Sequence, residues 1–209
     1  MKEVFFALEA SQDERGNNYY ITPPDFQNYK ADPYRYHYSE FETISTYHFD
    51  NFYQAKIKEN QLTADFYVQS NLASKEFNVL LDQLDIKHRS IPLDIVLYRN
   101  KKPSKQYFLT FVTDIISILD EGQSDFRISI DQYTNKPIIE KGFTIYETIS
   151  NFIIDETKVN QKHLFYCADT QSLMCSSYFK DRYIKQNLIG INFKEINSKF
   201  KYDPLAGLM

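Results

Sequence analysis

The chain has 209 residues, with 24 Lys and Arg against 28 Asp and Glu, giving a net charge of −4 and a pI near 5.6. That length suits one decorated domain that buries about 70% of its unfolded surface, so neither a metal nor a disulfide is needed to hold it. Lys and Arg are scattered and no run approaches the roughly 18 apolar residues of a bilayer span, which argues against nucleic-acid and membrane partners.

The composition includes 17 Tyr and 17 Phe but only 5 Gly, a bias toward strands and away from left-handed turns. Residues 4–9 read as a first strand, interrupted by Glu3 and Glu9 in a way no signal peptide is. A polar loop with Gly16 follows, then a short strand over 19–22 stopped by Pro23 and Pro24. Residues 26–52 are densely aromatic. Within them Tyr34, Tyr36 and Tyr38 alternate with Arg35, His37 and Ser39, which in a strand puts three phenols on one face.

Residues 56–58 and 63–68 read as further strands. Then the period changes: Phe77, Leu80, Leu81 and Leu84 follow Ser74 at helical spacing, with Ser74 as N-cap and Pro92 barring continuation. Residues 93–98 and 107–112 predict two strong strands joined as a hairpin. Residues 114–120 fit either a short helix or a strand. Residues 126–130, 137–140, 144–146 and 152–154 are short apolar segments between polar turns. A strand over 164–167, a helix over 176–186, a strand over 189–193 and a loosely packed tail over 199–209 complete the chain.

No internal repeat is visible. Strands in runs with two inserted helices imply an α+β class, with a mostly antiparallel or mixed sheet and two main amphipathic helices. We expect a single domain over 1–209, with 196–209 as tail and 1–90 open to being its own lobe.

Chemistry is sparse. The glycines Gly16, Gly122, Gly142, Gly190 and Gly207 are each alone, so no phosphate-cradling loop exists. No two histidines among His37, His48, His88 and His163 share metal-ligand spacing on a helix. His163 and Cys167 in one strand would stand about 13 Å apart, too far for a nucleophile and its base. Cys167 and Cys175 match no zinc or redox pattern and read as free thiols, Cys167 in the core. No catalytic residue, metal or cofactor is assigned. The acidic group Asp114, Asp120, Glu121 and Asp125 around Gly122 lacks the ligand alternation of a calcium loop. It reads as a solvated turn or as an acidic contact surface for a basic partner. The Tyr34, Tyr36 and Tyr38 face reads as packing under a helix or as a binding hot spot.

One stretch carries a resemblance. The run from Asp94 through Tyr107-Phe-Leu-Thr-Phe to Asp120 and Ser124 resembles the middle of a bacterial family of immunity proteins of polymorphic toxin systems. Leu164-Phe165, the Ser176-initiated helix and Leu188-Ile-Gly-Ile-Asn-Phe193 resemble its C-terminal half. The likeness covers about residues 90–195 and transfers no catalytic residue. It implies a cytoplasmic, non-enzymatic protein that binds and neutralises a cognate toxin protein. On that reading we assign Tyr34, Tyr36, Tyr38, Asp120, Glu121 and Asp125 as contacts. The rival readings are a small enzyme with a dispersed site using His37, His48 or His163 with carboxylates, and a structural subunit of a larger assembly.

Overall fold

Strands dominate, as the aromatic composition predicts. The computed structural model describes residues 3–12, 19, 21–33, 47–140, 142–204 and 206, so the Tyr34, Tyr36, Tyr38 and His37 assignments lie outside the described residues. In chain order the elements are β1 (Phe5–Ala10), β2 (Asp25–Gln27), β3 (Tyr53–Lys56), β4 (Phe66–Tyr67), β5 (Leu72–Ser74) and α1 (Lys75–Gln83). Next come β6 (His88–Val96), β7 (Tyr107–Val112), β8 (Ile115–Ile116), β9 (Asp125–Ile128), β10 (Ile139–Glu140) and β11 (Phe143–Thr144). The last are β12 (Tyr146–Asn151), β13 (Leu164–Cys167), β14 (Ser172–Ser176), α2 (Ser177–Lys185) and β15 (Ile191–Glu195).

One sheet has the order β15-β1-β14-β13-β8 and the other β2-β3-β6-β7-β5-β4. Neighbours are antiparallel except β13 with β8 and β3 with β6. Two small pairs, β9 with β12 and β10 with β11, stand apart from these sheets. The class is therefore α+β with mixed, mostly antiparallel sheets and two helices.

The structure departs from the sequence reading at several places. β6 begins at His88 and runs through Pro92. Its pairing with β3 starts only at Leu93, so Pro92 sits where β6 has a single neighbour, a position a strand proline tolerates. β14 was not anticipated, because its Ser-Leu-Met-Cys-Ser sequence lacks alternation: residues 173–176 are all buried. No strand covers residues 21 and 22. Part of the tail is packed, since Phe200 is buried and Tyr202 pairs with Ile149.

An internal repeat is present. β4-β5-α1-β6 and β13-β14-α2-β15 are each a hairpin, a nine-residue helix and a returning strand. In each copy the last hairpin residue is the N-cap serine. Ser74 Oγ accepts from Phe77 N–H and Ser176 Oγ from Phe179 N–H. The next amide in each copy reaches a strand alongside: Lys75 N–H donates to Gln106 C=O, and Ser177 N–H to Val4 C=O. Far along that strand, Thr113 N–H donates to Lys87 C=O and Ser11 N–H to Gly190 C=O. The strand alongside is β7 in the first copy and β1 in the second, each antiparallel to both its neighbours. The first copy closes with its own next strand; the second closes with the first strand of the chain. Little beyond Ser-x-x-Phe is common to the two sequences, and the closing strand lies on opposite sides of each copy, so no linear repeat could be seen.

The two copies face each other across a shared core. Phe77 of α1 meets Phe179 and Tyr183 of α2 at ring-centroid distances of 6.3 Å. Strand alternation divides β1: Phe6 and Leu8 enter this cluster, and Phe5 and Ala7 enter a second one with Ile149, Phe152 and Phe200. Burial of both faces explains the unbroken apolar run of β1 and of β13. It also separates the cysteines. Cys167 and Cys175 lie on adjacent strands but in different clusters, on opposite faces, as buried free thiols.

Where the copies meet, Gly190 has φ +118°, and a Cβ there would stand 2.4 Å from the Phe66 carbonyl oxygen. Beside it the buried Asp65 carboxylate gathers the Ser74 hydroxyl at 2.8 Å, Lys105 Nζ at 2.7 Å and the Ile189 N–H at 3.0 Å. One carboxylate thus ties the first hairpin to the turn that follows α2.

Candidate protein-interaction surface

Residues 120–154 leave the second core cluster as an arm. Its base is fixed by backbone polarity that needs partners. The buried Asp169 carboxylate accepts from the N–H groups of Ile118 at 2.6 Å and Leu119 at 2.8 Å. Leu119 pairs with Ile154, and Asp120 N–H donates to Ile153 C=O. Ser124 Oγ accepts from Ile153 N–H at 3.0 Å, which closes the base across the two strands. β9 and β12 then pair antiparallel with register shifts between Tyr146 and Thr148 and between Ile149 and Asn151. Bulges of this kind bend a two-stranded ribbon and raise its twist.

The predicted acidic contacts sit at this base. Asp120 spends its carboxylate on the turn, accepting from Gly122 N–H at 3.0 Å and the Gln123 side-chain amide at 2.5 Å. Glu121 accepts from the Tyr146 hydroxyl at 2.5 Å. Burial first, and then that bond to Glu121, raise the Tyr146 phenol well above its ordinary range, so it remains the donor. Asp125 opens β9 and its side chain is exposed. The three acids share one turn, with only Asp125 giving no side-chain bond to the fold.

The far end of the arm is built differently. Ile130 pairs with Pro137, and Asp131 N–H donates to Lys136 C=O. The Asp131 carboxylate accepts from Tyr133 N–H at 3.0 Å, Thr134 N–H at 2.7 Å and the Thr134 hydroxyl at 2.9 Å. The Thr134 amide and hydroxyl hold the Asp131 carboxyl below the usual carboxylate range. Asn135 takes φ 53°, which an Asn tolerates. This ordered turn presents Tyr133 at 96% exposure, with Ile139 at 63% and Ile130 at 48%. Sequence reading passed over this tip because its apolar residues are single and spaced by polar ones. The Asp-x-x-Thr-Asn turn between two apolar pairs is the signal that could have found it.

Among the described residues, His48, His88 and His163 do not come together in one site. His163 Nδ1 lies 3.1 Å from Ser176 Oγ, and its ring packs on Tyr178 at 4.9 Å. His88 Nδ1 lies 2.8 Å from the Ile86 carbonyl, with Nε2 3.7 Å from the exposed Asp82 carboxylate. His48 is exposed. Among the described residues no group of three or more His, Cys, Asp or Glu could hold a metal ion. Burial pushes both thiols up, away from nucleophilic character. Four surface clefts of 340, 560, 260 and 490 Å³ carry no histidine or cysteine in their linings. Among the described residues no helix is long and apolar enough to cross a membrane.

The sequence model of the immunity protein family (Imm11) matches residues 5–198. No curated protein matches the chain.

Proposed function

Because the chain belongs to the Imm11 immunity protein family, we propose that it is a cytoplasmic bacterial protein that binds a cognate toxin domain and neutralises it without chemistry of its own. The family match over 5–198 is the observation that carries this reading. The mechanism is occlusion: an interface of about 1,600 Å² is enough to cover an active site or a substrate groove. An ordered arm with an uncovered apolar tip supports binding, and His163 and His88 are engaged by Ser176, Tyr178 and the Ile86 carbonyl.

The test begins with the gene directly upstream. Its C-terminal domain is purified, titrated with this protein, and expressed in a sensitive strain with and without it. Tight one-to-one binding together with rescue of growth is the expected result. A folded toxin domain that neither binds the protein nor loses toxicity in its presence would overturn the reading.

A further inference from the structure

We propose that the arm over residues 125–147 is the docking element, and that its tip, Ile130, Tyr133 and Ile139, seats in a cation-rimmed cleft of the toxin domain. This deepens the immunity reading and rests on it.

Three observations converge. First, the arm beyond its root is not core material. Tyr146 enters the second cluster and Phe126 and Ile128 pack against it, but among the described residues from 120 to 145 none is buried. A folded segment that buries so little of itself has its apolar side chains available for something else. Second, the tip is held in shape before any partner arrives. Three bonds into the Asp131 carboxylate fix the turn that carries Tyr133. Ser129 N–H donates to Ile145 C=O, Ile138 N–H to Ser129 C=O and Ile145 N–H to Ile138 C=O, knitting three strand ends together. A rigid, exposed tyrosine brings large contact area at low entropic cost, the property of a hot spot.

Third, charge selects the partner. The arm with its base, residues 120–147, holds six carboxylates against three cations, and residues 125–147 alone hold four against three. Arg127 is engaged within the arm, with Nη2 3.3 Å from Glu147. Glu140 beside the tip and Asp125 near the base are exposed. An apolar tip on an acidic stem fits a recess whose walls are cationic, because opposite potentials steer encounter and fix register.

The experiment uses the full chain and the toxin domain encoded directly upstream. Tyr133→Ala and Ile139→Ser, alone and together, should leave circular dichroism and the unfolding midpoint unchanged. The double variant should weaken binding by at least about 30-fold, the scale of a hot-spot loss. Glu140→Lys combined with Asp125→Lys should slow association by about tenfold at low salt, with the deficit shrinking as salt rises. Phe52→Ala, at an exposed aromatic remote in sequence, should bind as the parent does. If both arm variants are folded and bind with parental affinity and rate, the docking proposal fails while the immunity reading stands. If the parent itself binds no toxin, both fail together. If the tip variants weaken binding but charge reversal changes no rate, the cationic recess is refuted.

Discussion

Replacing Asp65 by Ala is the sharpest test of how the two copies are held together. The residue is 2% exposed and its carboxylate accepts three hydrogen bonds. Truncation leaves the Ser74 hydroxyl and the Ile189 N–H without acceptors inside the protein, and leaves Lys105 only the Thr63 carbonyl. Each orphaned buried donor costs about 1–3 kcal/mol. Breaking a buried ion pair from one side costs about 3–5 kcal/mol. These overlap, and Lys105 is 30% exposed and can turn to solvent, so the expected loss is about 3–5 kcal/mol in all. For a chain of this size that lowers Tm by roughly 6–20 °C. Urea unfolding followed by far-UV circular dichroism measures it directly. Lys105→Met should cost less than Asp65→Ala, because the carboxylate keeps two donors. A loss under about 1 kcal/mol for Asp65→Ala would refute the view that this carboxylate joins the copies.

Three further outcomes follow from the geometry. Gly190→Ala should cost about 2–5 kcal/mol, as left-handed strain of about 1–2 adds to overpacking of about 1–3 against the Phe66 carbonyl; an unchanged urea midpoint would contradict the close approach. Ser176→Ala should lose about 1 kcal/mol of cap energy together with its bond to His163, and Ser74→Ala more, since the partner Ser74 donates to is a buried carboxylate; equal losses in parallel urea titrations would refute the asymmetry. Burial pushes the Tyr53 phenol up to about 12 and raises Tyr107 and Tyr183 as well. Unfolded phenols ionise near 10 while these stay protonated, so stability is fully present below pH 10 and falls as pH climbs through 10–12. A urea midpoint that holds or rises over that window would count against it.

Local rules carried the sequence reading a long way where one residue type dictates one geometry. Ser74 and Ser176 each announced a helix, because an N-cap oxygen followed by apolar residues at helical spacing has few other uses. Tyr107–Val112 stood out because a branched and aromatic run bounded by turns has few alternatives to a strand. The reading failed where the decisive partner is distant. β14 carries no period-two pattern, since both its faces are covered by elements far away in sequence. Nothing in the sequence singles out Asp65, because its partners Lys105 and Ile189 lie 40 and 124 residues away. The repeat escaped for the same reason: β1 and its partners β14 and β15 lie at opposite ends of the chain.

The acidic turn shows that one group of carboxylates can carry a structural duty beside the contact role assigned to it. Asp120, Glu121 and Asp125 do lie around one turn, but the fold claims the first two: Asp120 caps it and Glu121 takes the Tyr146 proton donor. A contact that already supports the base of the arm cannot be lent to a partner without loosening the arm. Asp125 and Glu140 are exposed carboxylates without such duties, and the apolar exposure increases toward the tip. That division of labour, with anchoring acids at the base and presenting groups at the end, lets the contact end change while the core that supports it stays fixed. For the docking element we propose, that separation suits discrimination between related partners, which rests on contacts made to one partner and clashes built against another.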